Sequence, residues 1–106
     1  MKPANRLKIK TMDKGWCDKD ILLIHACFQI FEDCVKEEKL FSDHRDWNAN
    51  KKLIIDKKEL KELYDWWKQR KRKEKKKRFD ETAEPQYTED SQMLMKLIKL
   101  RRYLWT

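Results

Sequence analysis

Nine lysines and arginines fall within the eleven residues from Lys68 to Arg78, with Glu74 the single acid among them. Each such cation can neutralise a phosphate and release counterions, a contact that follows the backbone and carries no base information. The same run could meet an acidic protein surface, or stay solvated as a self-repelling helix end. The candidates for nucleic-acid contact are Lys68, Arg70, Lys71, Arg72, Lys73, Lys75, Lys76, Lys77 and Arg78. Trp66 and Trp67 stand just before them. An indole beside a cationic run can stack on an exposed base, although large aromatics at helical spacing usually build a core. Trp66 is the candidate for stacking or partner contact. KRKEKKKR also has the composition of a nuclear localisation signal, should the cell be eukaryotic.

Other chemistries find less support. Cys17, His25, Cys27, Cys34 and His44 are the soft metal-ligating types present, but no Cys-x-x-Cys occurs, and a zinc site wants paired ligands at short spacing. A cysteine nucleophile would need an elbow turn or a helix-start glycine, and the chain holds one glycine. That single glycine also argues against a phosphate-cradling loop. Glu32, Asp33, Glu37 and Glu38 read as a solvated helix face. We expect a non-enzymatic protein with no metal or other cofactor.

The chain has 106 residues, enough for one domain, and a net charge of +8. The run from Lys68 to Arg78 carries that whole excess, leaving eighteen cations and eighteen acids elsewhere. Two prolines, one glycine and abundant Lys, Glu and Leu favour helix. Three cysteines, two of them on one helical segment, make a poor disulfide framework and suit a reducing compartment. No apolar run approaches the roughly 20 residues needed to cross a bilayer, and the N-terminus lacks a secretory apolar core. A cytoplasmic location follows as the expectation.

Apolar periodicity sets out three helices. Ile21, Ile24, Phe28, Phe31 and Val35 recur at steps of three and four. Leu23, Cys27, Ile30 and Cys34 form a second row, so this helix is apolar over a wide arc and a second copy could complete its burial. Its end is expected near residues 38 to 40. Residues 41 to 52 read as a connection, with Trp47 folding back as a lid. The second helix starts at Asn50 or at Asp56, with Leu60, Leu63, Tyr64 and Trp67 inward, and runs to about Lys75. Trp66 lies about 100° around the axis from Trp67, so one of them is core and the other a flank. Pro85 is read as a break, and the last helix as starting near Thr88 with Thr88 or Asp90 as its cap. The acids between Phe79 and Asp90 could fold back and partly mask the basic run. The expected core is Ile21, Ile24, Phe28, Phe31, Val35, Leu60, Leu63, Trp67, Leu94, Leu97 and Leu104.

The fold expectation is all-α: a small three-helix domain over residues 16 to 106, with a basic extension at 68 to 78 on a long second helix. Residues 1 to 15 are expected to be a flexible arm.

Three stretches, DKDILLIHACFQIFEDCVKEE (18 to 38), ELKELYDWWKQR (59 to 70) and DSQMLMKLIKLRRYLWT (90 to 106), resemble a group of small, largely uncharacterised proteins of tailed bacteriophages. That group has an LYxWW element followed by Arg and a tail ending near LWT. The resemblance implies a phage gene product acting in a bacterial cytosol, or a virion component. The family pattern often continues with Pro after the Arg, whereas Lys71 follows Arg70 here. Independently of the resemblance, the charge run and the broad apolar arc give as expected partners DNA or RNA phosphate backbone or an acidic protein surface, with no membrane and with a homodimer in view. The alternative function is an interaction or assembly module for a host or phage protein.

Overall fold

The computed structural model describes residues 7–11, 18–42 and 46–104. Over these residues the protein is all-α: α1 (Lys19–Lys36), α2 (Lys51–Glu74), α3 (Glu84–Leu100) and a closing 3-10 turn, Arg101–Leu104. No helix among them is long and apolar enough to cross a membrane.

Asp18 precedes the first turn of α1, and the Asp20 carboxylate accepts the Ile21 N–H at 2.9 Å. The helix stops at Lys36, short of the expected 38 to 40. Lys39 then takes φ 52°, and the Leu40 N–H donates to the Cys34 carbonyl at 3.2 Å. This left-handed residue turns the chain so that Leu40 is buried over the helix end. A lysine there costs about 1–2 kcal/mol that a glycine would not, and Leu40 burial opposes that cost.

Asn50, not Asp56, caps α2: its side chain accepts the Leu53 N–H at 2.9 Å. The Asn50 register brings Leu60, Leu63 and Trp67 to the interior. The start of α3 differs from expectation. It begins at Glu84, not near Thr88, and Pro85 sits in its first turn. A first-turn residue has no intrahelical acceptor for its N–H, so a proline there loses nothing. Asp90 is therefore not a cap but a buried residue in the helix body.

Phe28 and Trp67 stack at 4.8 Å in the centre of the core, with Phe31 edge-on to Phe28 at 6.3 Å. Trp47 closes the core as expected, 5.3 Å from Tyr103 and 6.4 Å from Phe41. Of the expected core, Val35, Leu94 and Leu104 are only partly buried, while Cys34, Leu40, Leu100 and Tyr103 join it. Trp66 packs on the outside of this cluster, half-buried, 5.3 Å from Phe28.

The expected flexible arm lies partly outside the described residues. Within it, Lys10 donates its N–H to the Gln29 side chain at 3.2 Å, and the Thr11 hydroxyl meets His25 Nδ1 at 2.6 Å. Residues 10 and 11 are thus anchored to α1.

The two tryptophans should separate in a urea titration. Trp67→Ala empties the middle of the core and should cost about 3–5 kcal/mol, enough to unfold much of the population. Trp66→Ala should cost less than half as much. Equal losses would show that the core is centred differently.

Candidate nucleic-acid interface

The basic run does not form an arm of equivalent cations. Arg70 is 1% exposed. Its Nε and Nη2 donate to the two oxygens of Asp90, both at 2.9 Å, a fork-to-fork pair. Nη1 donates to Glu74 Oε1 at 2.7 Å and Nη2 also to Glu81 Oε1 at 2.9 Å. The guanidinium lies over the Phe79 ring, 4.6 Å from its centroid. Burial opposes this charge, but the bonds to Asp90 and Glu81 outweigh it and raise the guanidinium's proton affinity. Arg70 therefore presents nothing to a phosphate, contrary to its place among the expected contacts.

The network extends to α1. His25, itself buried, meets Glu81 Oε1 at 2.5 Å and Glu74 Oε1 at 3.1 Å through Nε2. Burial, reinforced by the neighbouring Glu81 carboxylate, pushes Glu74 up to about 7 despite Arg70. Burial works against Glu81 as well, yet the hydrogen bonds from His25 and Arg70 hold it below the usual carboxylate range. His25, Glu74 and Glu81 offer three ligand atoms within 4.8 Å of one another, a donor set that suits a divalent ion. Arg70 donates to the same two Oε1 atoms and already supplies their positive charge.

Lys71 is also taken up internally. Its ammonium donates to Glu32 Oε1, and Lys36 approaches the same oxygen at 3.3 Å. Gln29 donates to Glu32 Oε2 at 3.3 Å and to Asp33 at 2.8 Å. Burial disfavours the Glu32 charge, but Lys71 and Lys36 hold it ionised. Glu32 is thus not part of a solvated face.

Seven candidates remain on the surface. Lys68 leans over Tyr64 at 5.0 Å and lies 3.3 Å from Asp65, and Lys73 is 3.7 Å from Glu89. Among the described residues, Arg72, Lys75, Lys76, Lys77 and Arg78 are exposed with no carboxylate in ion-pair range. α2 ends at Glu74, and the chain reverses through bonds from Lys76 N–H to the Lys73 carbonyl and Phe79 N–H to the Lys76 carbonyl. Phe79 and Glu81 then return to Arg70, so Lys75 to Arg78 form a turn held at both ends. The expected masking by the acidic connection is confined to Arg70 and Lys73.

A groove of about 690 Å³ opens between α1 and the end of α2, closed on one side by Lys10 and Thr11. Lys10, Lys36, Lys68, Lys71, Arg72 and Lys75 line it against two acids, Glu32 and Glu74. Among the described residues none of the lining is aromatic, and Trp66 packs against Phe28 on the outside of the core. Asp90 and Glu81 are among the acids expected to fold back on the basic run, and they do so on Arg70; His25 and Glu32 carry no such signal in the sequence. Glu74 and Asp90 each stand at helical or connecting distance from Arg70, but only the fold shows which cation turns inward.

Compared with protein-family models, curated proteins and solved structures, the chain finds no match.

Removing Arg70 strips the partner from three carboxylates. Arg70→Ala should cost about 3–5 kcal/mol in chemical denaturation, and Arg70→Lys should recover only part of it because an ammonium lacks the fork. A loss under about 0.5 kcal/mol would show that the network is not structural. Glu74 supplies a pH signature. Its folded value lies above the ordinary 4.5, so the folded state holds a proton that the unfolded chain releases. Stability from this group is present below about pH 4.5 and falls away as pH rises through about 7. Glu74→Gln keeps the neutral form, and should melt above the parent at alkaline pH by about 1–3 kcal/mol, with the gap closing towards acid. A gap that widens towards acid would reverse the sign.

Proposed function

We propose that the protein binds the phosphate backbone of nucleic acid, without catalysis and without strong sequence preference, through the groove and the adjoining end of α2 and turn, Arg72 to Arg78. The supporting observation is that six cations face two carboxylates in one groove, and that Glu32 is already consumed inside the protein. Cations concentrated in a concave surface focus potential and draw polyanions to it. Lysine and arginine side chains meet phosphates by charge and carry no base readout of their own in such contacts. In this reading Arg70 and Lys71 set the shape of the site, while Lys68, Arg72, Lys73 and Lys75 to Arg78 meet the ligand. On the resemblance to small tailed-phage proteins, the setting would be a bacterial host cytosol and the role that of an accessory gene product, or else a virion component. Engagement of an acidic protein surface by the same cations is the competing reading.

Fluorescence anisotropy with labelled duplex and single-stranded oligonucleotides tests it. Affinity should fall by at least about tenfold between 50 and 200 mM salt. Replacing Arg72, Lys73, Lys75 and Lys76 by Gln should lower the log-log salt slope by about 2–4, with the melting temperature little changed. A flat salt dependence, or parental binding by the fourfold variant, would overturn the proposal. An acidic partner would instead co-purify undiminished after nuclease treatment.

A further inference from the structure

α1 has a second flank, away from the groove. Leu23 is 55% exposed and Ile30 is 47% exposed. They lie seven residues apart on one face, about 10 Å along the axis. Ala26 and Cys27 fall between them, both half-buried. α3 runs beside this flank: Tyr87 donates to Asp20 at 2.9 Å, and Leu23 and Leu94 line a common cleft. Continuing that register brings Ile30 near the level of Ile98, which is itself exposed, as is its neighbour Met95. Four large apolar side chains thus stand about half exposed on two adjacent helices, and apolar residues grouped in this way mark contact surfaces.

The stripe has a direction. Lys19 opens it, Leu23, Ala26 and Ile30 fill its middle, and Asp33 and Glu37 close it, all within about 40° of a common line at 100° per residue. Inverted, the stripe complements itself: the apolar centre meets an apolar centre, and each cationic end meets an acidic end. A parallel pairing would set like charges together.

We propose that this face is the contact between two copies of the chain, with their α1 helices antiparallel about a two-fold axis passing near Ala26 and Cys27. Leu23 of each copy then packs on Ile30 of the other, the small Ala26 lets the helices approach, and Lys19 reaches Asp33 and Glu37 of its partner. Such an interface is isologous, with one patch used twice. The nucleic-acid groove lies across α1, on the flank of Glu32 and Lys36, so this pairing stands or falls independently of what that groove binds.

Sedimentation equilibrium over roughly 5–200 μM protein is the direct test, a range that detects dissociation constants near the micromolar level. The wild-type chain should shift from monomer to dimer with concentration, and no further. Leu23→Glu and Ile30→Glu should each weaken the dimer at least tenfold while far-UV circular dichroism stays unchanged. Lys19→Glu should weaken it, and Lys19→Glu combined with Asp33→Lys and Glu37→Lys should restore it. In a Cys17→Ser background, a short bismaleimide should couple Cys27 to Cys27 in the dimer. A chain that stays monomeric throughout, or a dimer indifferent to Ile30→Glu, overturns the proposal and leaves the face to a different protein. Restoration failing while both single effects hold would overturn the antiparallel geometry.

Discussion

A guanidinium withdrawn from water is the constraint on which the rest of this small domain depends. Taking such a charge into the interior costs several kcal/mol unless its donors are met, and Arg70 meets Asp90 with both arms of its fork. Glu74 and Glu81 take further donors, and His25 links their oxygens to α1. One side chain thereby ties α2 to α3, to the connection between them and, through His25, to the first helix. It holds α2 in register with α3, because sliding either helix by a residue would break the fork. It also explains why the chain turns after Glu74: Phe79 and Glu81 have to return to the guanidinium.

The network carries more acid than base, and Glu74 absorbs the imbalance by holding its proton to near neutrality. Placing a group of that kind at the helix end, where it also lines the cationic groove, links the interior charge balance to the surface. The second pairing, Lys71 with Glu32, does the same mechanical work between α2 and α1. Both involve cations from the densest charge run in the chain, so that run is at once a fastening and a surface.

α1 divides the molecule's surface chemistry. One flank, through Gln29, Glu32 and Lys36, faces the polar end of α2. The buried centre, Phe28 and Phe31, meets the aromatic core. The other flank leaves Leu23 and Ile30 in water beside α3. The breadth of apolar patterning that marks this helix is thus distributed between an internal core and an external face.

The number and order of helices, the inward Trp67 and the lid of Trp47 could be read from the chain because each rests on local spacing, while the choice of Asn50 over Asp56 as the α2 cap needed the structure, since both offer capping chemistry. The start of α3 was misjudged because a proline in a first turn and a proline that breaks a helix look alike until the neighbouring turn is known. Glu32 and His25 give no local sign of their pairing because their partners lie 39 and 56 residues away, whereas Asp90 falls among the acids expected to return to the basic run. The sequence by itself determined that the protein is all-α, aromatic-cored and unevenly charged, since composition and periodicity act on each segment separately. Only the tertiary structure decided which of nine neighbouring cations became interior and which remained for a ligand, because helical rotation and the approach of distant carboxylates set a charge's burial, and lysine or arginine as a letter does not.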